Sequence, residues 1–167
     1  MAPEAGDEVD ELVLAWRRER DDLDLAPVEV FSRISRLAKL LDLARRDAFT
    51  AHSIEPWEFD VLAALRRAGQ PYQLSPGQLL KETMVTSGTM TNRIDRLTER
   101  GLVERSPDPN DRRGVLVGLT SAGKSAVDGA FETLLASERD LLAELSAGER
   151  RQLADLLKRL MQPLVGG

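Results

Sequence analysis

In this chain of 167 residues only two short segments read as β-strand, 102–105 (LVER) and 115–119 (VLVGL), and they flank the turn-rich run SPDPNDRRG. Almost everything else repeats apolar residues at helical spacing. Two neighbouring strands joined by a turn make a hairpin. They cannot make a parallel sheet, whose strands need long crossovers between them. The expected fold is therefore mainly α with a small β-hairpin.

The helices follow from periodicity and caps. Residues 8–22 carry Val9, Leu12, Val13 and Trp16 on one stripe. Pro27 suits the first turn of a second helix running to about His52, with Phe31, Ile34, Leu37, Ala38 and Leu41 as its apolar face. That helix is long for a small domain and suggests a dimer scaffold. Pro56 opens a third, with Trp57, Val61, Leu62 and Leu65, ending near Gly69. QPYQLSPGQLLKET reads as a loop, then Ser75 as N-cap and Pro76 at N1 of a short helix. A fifth helix spans about 87–100, closed by Gly101. Two more, about 120–143 and 146–163, repeat leucines at 134, 135, 141, 142, 153, 156, 157 and 160, as packing against a partner requires.

The hairpin also decides one motif. Gly118 to Ser125, inside GVLVGLTSAGKSAV, spells G-x-x-x-x-G-K-S, the string of a phosphate-binding loop. Such a loop needs a parallel sheet to fix its curl and glycines to free its backbone N–H groups. Neither is present: the interior Leu119-Thr120-Ser121-Ala122 has no glycine. Val115, Val117 and Leu119 read instead as a strand face, with Thr120 capping the helix that holds Gly123 and Lys124.

Hydrophobic residues make up 42% and charged residues 31%, ordinary for a soluble helical protein, while aromatics are only 4%. Cysteine is absent, which excludes disulfides and thiolate chemistry. No apolar run approaches the roughly 20 residues of a membrane span, and the acidic N-terminus is unlike a signal peptide. A cytoplasmic protein is expected, with the acidic residues before about 8 disordered. The lone His52 reads as structural or exposed, so no histidine metal cluster, cofactor or nucleophile–base pair is expected, and no enzyme.

The net charge of −5 speaks against a nucleic-acid binder only if charge is evenly spread. It is not. Residues 1–24 hold nine acids against three arginines, whereas 93–113 hold six arginines, at 93, 96, 100, 105, 112 and 113. On the fifth helix Met90, Ile94 and Leu97 share a buried face, and the opposite face carries Gly88, Thr89, Asn92 and Arg96. Asn, Arg and a Thr methyl group can read base edges in a major groove. Thr86 and Ser87, at the helix N-terminus, suit phosphate contacts. Arg112 and Arg113 sit on a long hairpin tip able to reach a minor groove. A recognition helix followed by a basic wing is winged helix-turn-helix architecture.

These features resemble the MarR family of bacterial transcription regulators. The resemblance rests on RIDRLTERGLVER, on Asp111-x-Arg113 of the wing and on LTSAGK, and covers about residues 28–163. It implies an obligate homodimer whose first and last helices interlock to form a dimerisation domain, with double-stranded DNA of pseudo-palindromic sequence as partner. The implied organisation is an acidic arm and extra helix (1–24), a dimerisation helix (25–54), a DNA-binding lobe (55–120) and C-terminal dimerisation helices (121–167). It also implies a repressor released by a small anionic ligand. The extra N-terminal helix with Trp16, together with Asp60, Arg93 and Arg105, is similar to the urate-responsive branch, the HucR and PecS type, where these residues are linked to a purine-like anion. An indole stacks on a flat ring and an arginine forks to an oxyanion. Other readings stay open. Trp16 suits a core aromatic, Asp60 could pair with Arg93, Arg93 could meet a phosphate, and Arg105 could cover the hairpin. The effector could be another aromatic or polycarboxylate anion, and the lobe a winged-helix protein-interaction module.

Overall fold

In a computed structural model of the chain, residues 6–165 are described. The expected disorder of the extreme N-terminus falls largely outside them, although Asp7 lies within. The chain divides into two compact units, Met1–Ala44 and Arg45–Gly167.

In the first unit, helix α1 (Glu8–Glu19) begins at a reciprocal cap. Asp7 accepts from the amides of Val9 and Asp10, and Asp10 accepts from the Asp7 amide at 2.8 Å. Helix α2 (Ala26–Thr50) follows after a short turn and continues into the second unit. Val9, Val13 and Leu25 form a small buried cluster, with Val28 packed on it. Ionic contacts surround it: Arg33 donates to Asp7 and Asp10 at 2.8 and 2.7 Å, Arg36 to Glu8 at 3.4 Å, and Arg17 to Glu29 at 3.2 Å.

The second unit holds α3 (Pro56–Arg67), β1 (Gln73–Leu74), α4 (Pro76–Thr83), α5 (Ser87–Glu99), β2 (Val103–Asp108), β3 (Asp111–Leu119), α6 (Ser121–Leu141) and α7 (Ala147–Val165). Its core gathers Phe49, Leu62, Leu65, Leu79, Ile94, Val117 and their neighbours, and Phe49 stacks on Phe59 with ring centroids 4.2 Å apart. The expected caps form. Ser75 and Gln78 make a reciprocal box at α4, Thr86 accepts from the Thr89 amide at α5, and Thr120 accepts from the Gly123 amide at α6.

The sheet differs from expectation in two ways. It has three antiparallel strands, in the order β1-β3-β2, because Gln73 and Leu74, expected as loop, pair with Gly118 and Val117. The wing tip is also tight and not long: β2 and β3 extend to Asp108 and Asp111, leaving two residues between them. Pro107 is tolerated because β2 is an edge strand with an irregularity at Pro107/Asp108, and Asp108 accepts from the Asn110 amide at 2.8 Å to close the turn.

Gly123 explains the string that resembles a phosphate loop. A Cβ at this position would lie 1.9 Å from the backbone carbonyl oxygen of Leu102. The same carbonyl accepts from the Thr120 amide at 3.2 Å. The glycine is required by close packing of α6 on the start of β2.

Candidate nucleic-acid interface

Helices α4 and α5 form the helix-turn-helix. Met84 ends α4 in the left-handed region (φ 51°), turning the chain sharply before Thr86 caps α5. Met90, Ile94 and Leu97 anchor α5 in the core, so Ser87, Gly88, Thr89, Asn92 and Arg96 are exposed on its other side. The Thr86 and Thr89 hydroxyls lie 2.9 Å apart, which ties the helix N-terminus to its own first turn. Beyond α5, the hairpin carries Arg112 and Arg113, both exposed and with no ion pair among the described residues. The Asp111 carboxylate accepts from the Arg113 amide at 3.0 Å, so the Asp-x-Arg pattern shapes the wing backbone and leaves both guanidinium groups free for a partner.

The other four arginines of the basic segment are engaged within the protein. Arg105 pairs with Asp95, and Arg100 with the buried Glu58. Arg96 lies 3.8 Å from a Glu55 carboxylate oxygen and 4.7 Å over the Trp57 ring, while Arg93 lies 5.5 Å from the same ring. The Trp57 indole N–H donates to Glu55. This arrangement at the start of α3 was not expected. The spacing of Arg93, Arg96 and Arg100 puts them on one side of α5, but their acceptors lie about forty residues earlier, as for Arg100 and Glu58.

Of the four effector candidates, Trp16 belongs to the first unit, and Asp60, Arg93 and Arg105 belong to the second, where each has a different side-chain partner. Trp16 is 48% exposed on α1, beside Leu12, Ala15 and Glu19. Asp60, on α3, has Arg45 at 3.8 Å, so its ion-pair partner is not Arg93. Arg93 stacks on Trp57, and Arg105 extends from β2 to Asp95 on α5. A cleft of about 150 Å³ between α3 and α6 is lined by Phe59, Ala63, Val127 and Phe131, with Arg66 and Asp128 at its edge, and contains none of the four. Arg66 donates to Asp128 at 2.8 Å and lies 4.9 Å over the Tyr72 ring, bracing the approach to β1. His52 is held by Thr133 at 2.9 Å, which gives it a structural contact.

A buried helical core, a helix whose outer face is polar, and an antiparallel hairpin with unpaired arginines define a winged helix-turn-helix DNA-binding protein. A model of the MarR family matches residues 52–114. The HTH-type transcriptional regulator PecS of Dickeya dadantii (strain 3937) is 39% identical over 158 residues, 95% of each chain. Among solved structures, a point mutant of MarR from E. coli complexed with operator DNA has a TM-score of 0.65 and 28% identity, covering 93% of this chain and 99% of that one. BpsR of Bordetella bronchiseptica, described as regulated in DNA binding by 6-hydroxynicotinic acid, has a TM-score of 0.63 and 27% identity, covering 78% and 91%. The chain belongs to the MarR family: it is a DNA-binding transcription regulator and not an enzyme.

Proposed function

We propose that the chain acts as a homodimeric repressor in the cytoplasm, bound to a pseudo-palindromic operator and released by a small anionic ligand, urate or a related purine. The observation that carries the DNA contact is the exposed face of α5 beside the free arginines of the wing. Thr86 and Ser87 meet phosphate, Thr89, Asn92 and Arg96 read base edges in the major groove, and Arg112 and Arg113 enter the adjacent minor groove. Dimerisation by helices within 25–54 and 121–167 sets two such units about one DNA turn apart. Its support is the apolar surface those helices leave open: Phe31, Leu37 and Leu40 on α2, and Leu153, Leu156 and Leu160 on α7 are all exposed.

The ligand reading assigns Trp16 to stacking, Arg93 and Arg105 to the anion, and Asp60 to repulsion that moves the DNA-binding lobe. An aromatic carboxylate is the second reading, favoured by the 6-hydroxynicotinic acid that regulates BpsR. Gel shifts on operator fragments test the DNA contact. Arg113→Ala should weaken binding and, since the dimer loses one cation from each of its two wings, flatten its dependence on salt by about 1.8 in the log–log slope, and an unchanged affinity would sink the assignment. Titrating urate and 6-hydroxynicotinate separately while following tryptophan emission tests the ligand. Saturable quenching by urate that Trp16→Phe diminishes supports the purine. Quenching by the nicotinate alone supports the second reading, and no response to either overturns both.

A further inference from the structure

Arg96 is offered to DNA by its position on α5, yet it already has a partner. Its guanidinium lies over the Trp57 ring at 4.7 Å and 3.8 Å from Glu55 Oε1, while Glu55 Oε2 is held by the Trp57 indole N–H. The tether aims the free carboxylate oxygen at Arg96. One guanidinium nitrogen, Nη2, lies 3.8 Å from Glu55, beyond hydrogen-bond reach, so the carboxylate acts on Arg96 through charge, and a side chain drawn toward Glu55 is drawn away from a guanine edge or a phosphate. Glu55 and Arg96 are both more than half exposed, so the contact is weak enough to exchange.

We infer that Glu55 and Trp57, at the first turn of α3, are positioning residues that compete with DNA for Arg96. In the free protein they hold the side chain along the helix–helix seam; on the operator, DNA replaces Glu55. The competition lowers affinity and makes binding depend on the match at the base pair Arg96 reads, since a poor match does not displace the carboxylate. Arg93 lies 5.5 Å from the centroid of the same ring, so the two arginines share the indole as a neighbour. The inference rests on the proposed DNA contact of Arg96.

The test is a double-mutant cycle on the full chain, with operator affinity measured over a range of salt. Glu55→Gln keeps the shape and an acceptor for the indole N–H but removes the charge. It should tighten operator binding about two- to fivefold and relax discrimination against a single mismatched base pair. Arg96→Ala should weaken binding. In the Arg96→Ala background, Glu55→Gln should have no effect. Three results overturn the inference. If Glu55→Gln changes neither affinity nor discrimination while Arg96→Ala weakens binding, Arg96 contacts DNA but nothing competes for it. If Glu55→Gln tightens binding equally in both backgrounds, its effect is loss of a repelling charge and not release of Arg96. If Arg96→Ala binds normally, the underlying DNA contact of that residue is itself wrong. Thermal melting of each variant checks that the fold is intact.

Discussion

Glu58 is 1% exposed, the only buried charged side chain among the described residues. It accepts from the Glu55 amide at 2.9 Å and from the guanidinium of Arg100, which also donates to the Ser53 carbonyl. Taking Arg100 away would leave a carboxylate buried without its counter-charge, the arrangement that destabilises most. Arg100→Met should lower the unfolding free energy by about 2–4 kcal/mol in urea denaturation, part of which Glu58→Gln in the same chain should restore. A loss below about 0.5 kcal/mol would mean that water satisfies Glu58. At this scale the sequence was half readable. The arginines at 93, 96 and 100 advertise a common helix face through their spacing, but nothing local marks Glu55, Trp57 and Glu58 as what they face. An ion pair made forty residues apart leaves no pattern in either segment.

Helix boundaries were legible where a capping side chain and a proline coincide, as at Ser75-Pro76, since both act within one turn of chain. Strand β1 was not. Two residues beside a proline carry no alternation, and Gln73 and Leu74 become a strand only because Gly118 and Val117 come to them. The attachment of α1 to α2 was equally invisible, although each charge was in view. Arg33, with the amides of Asp10 and Val9, holds the Asp7 carboxyl below its ordinary value of 3.8. A carboxyl whose folded value is depressed contributes its stability above the ordinary value and loses it as pH falls through the folded one. The attachment should therefore weaken below pH 3.8, and also in high salt, which screens exposed charges. Arg33→Ala at neutral pH should reproduce this. Amides of α1 should exchange hydrogen about two- to fivefold faster, while those of α3 stay as they were. Equal acceleration of both helices would show that the ionic contacts do not act locally.

Across the whole molecule, the mainly helical plan with one wing followed from there being so few strands. The net charge of −5 says little about residues 93–113, where six arginines face five acids, because nine further acids collect in residues 1–24. The periodic leucines of the last helix are visible in the sequence, and in the structure every described side chain of α7 up to Gln162 is exposed. An amphipathic helix that buries nothing in its own chain needs a cover. If a second copy supplies it, as proposed, folding and association are one equilibrium. The melting temperature should then rise by about 2 °C for each tenfold increase in protein concentration, and Leu156→Lys should abolish that dependence by giving a monomer in sedimentation. A concentration-independent melt with a monomeric wild type would remove the dimer from the proposal.

The glycine at 123 has a further consequence when positions are counted as choices. With the Leu102 carbonyl oxygen 1.9 Å from where any Cβ would stand, the site accepts one letter of the amino-acid alphabet and so carries as much information as a position can. Ser125, exposed two residues later, carries almost none. A string search weighs the two letters alike and reports a nucleotide site. Geometry weighs them apart: one letter is dictated by a neighbouring carbonyl, the other is free to drift.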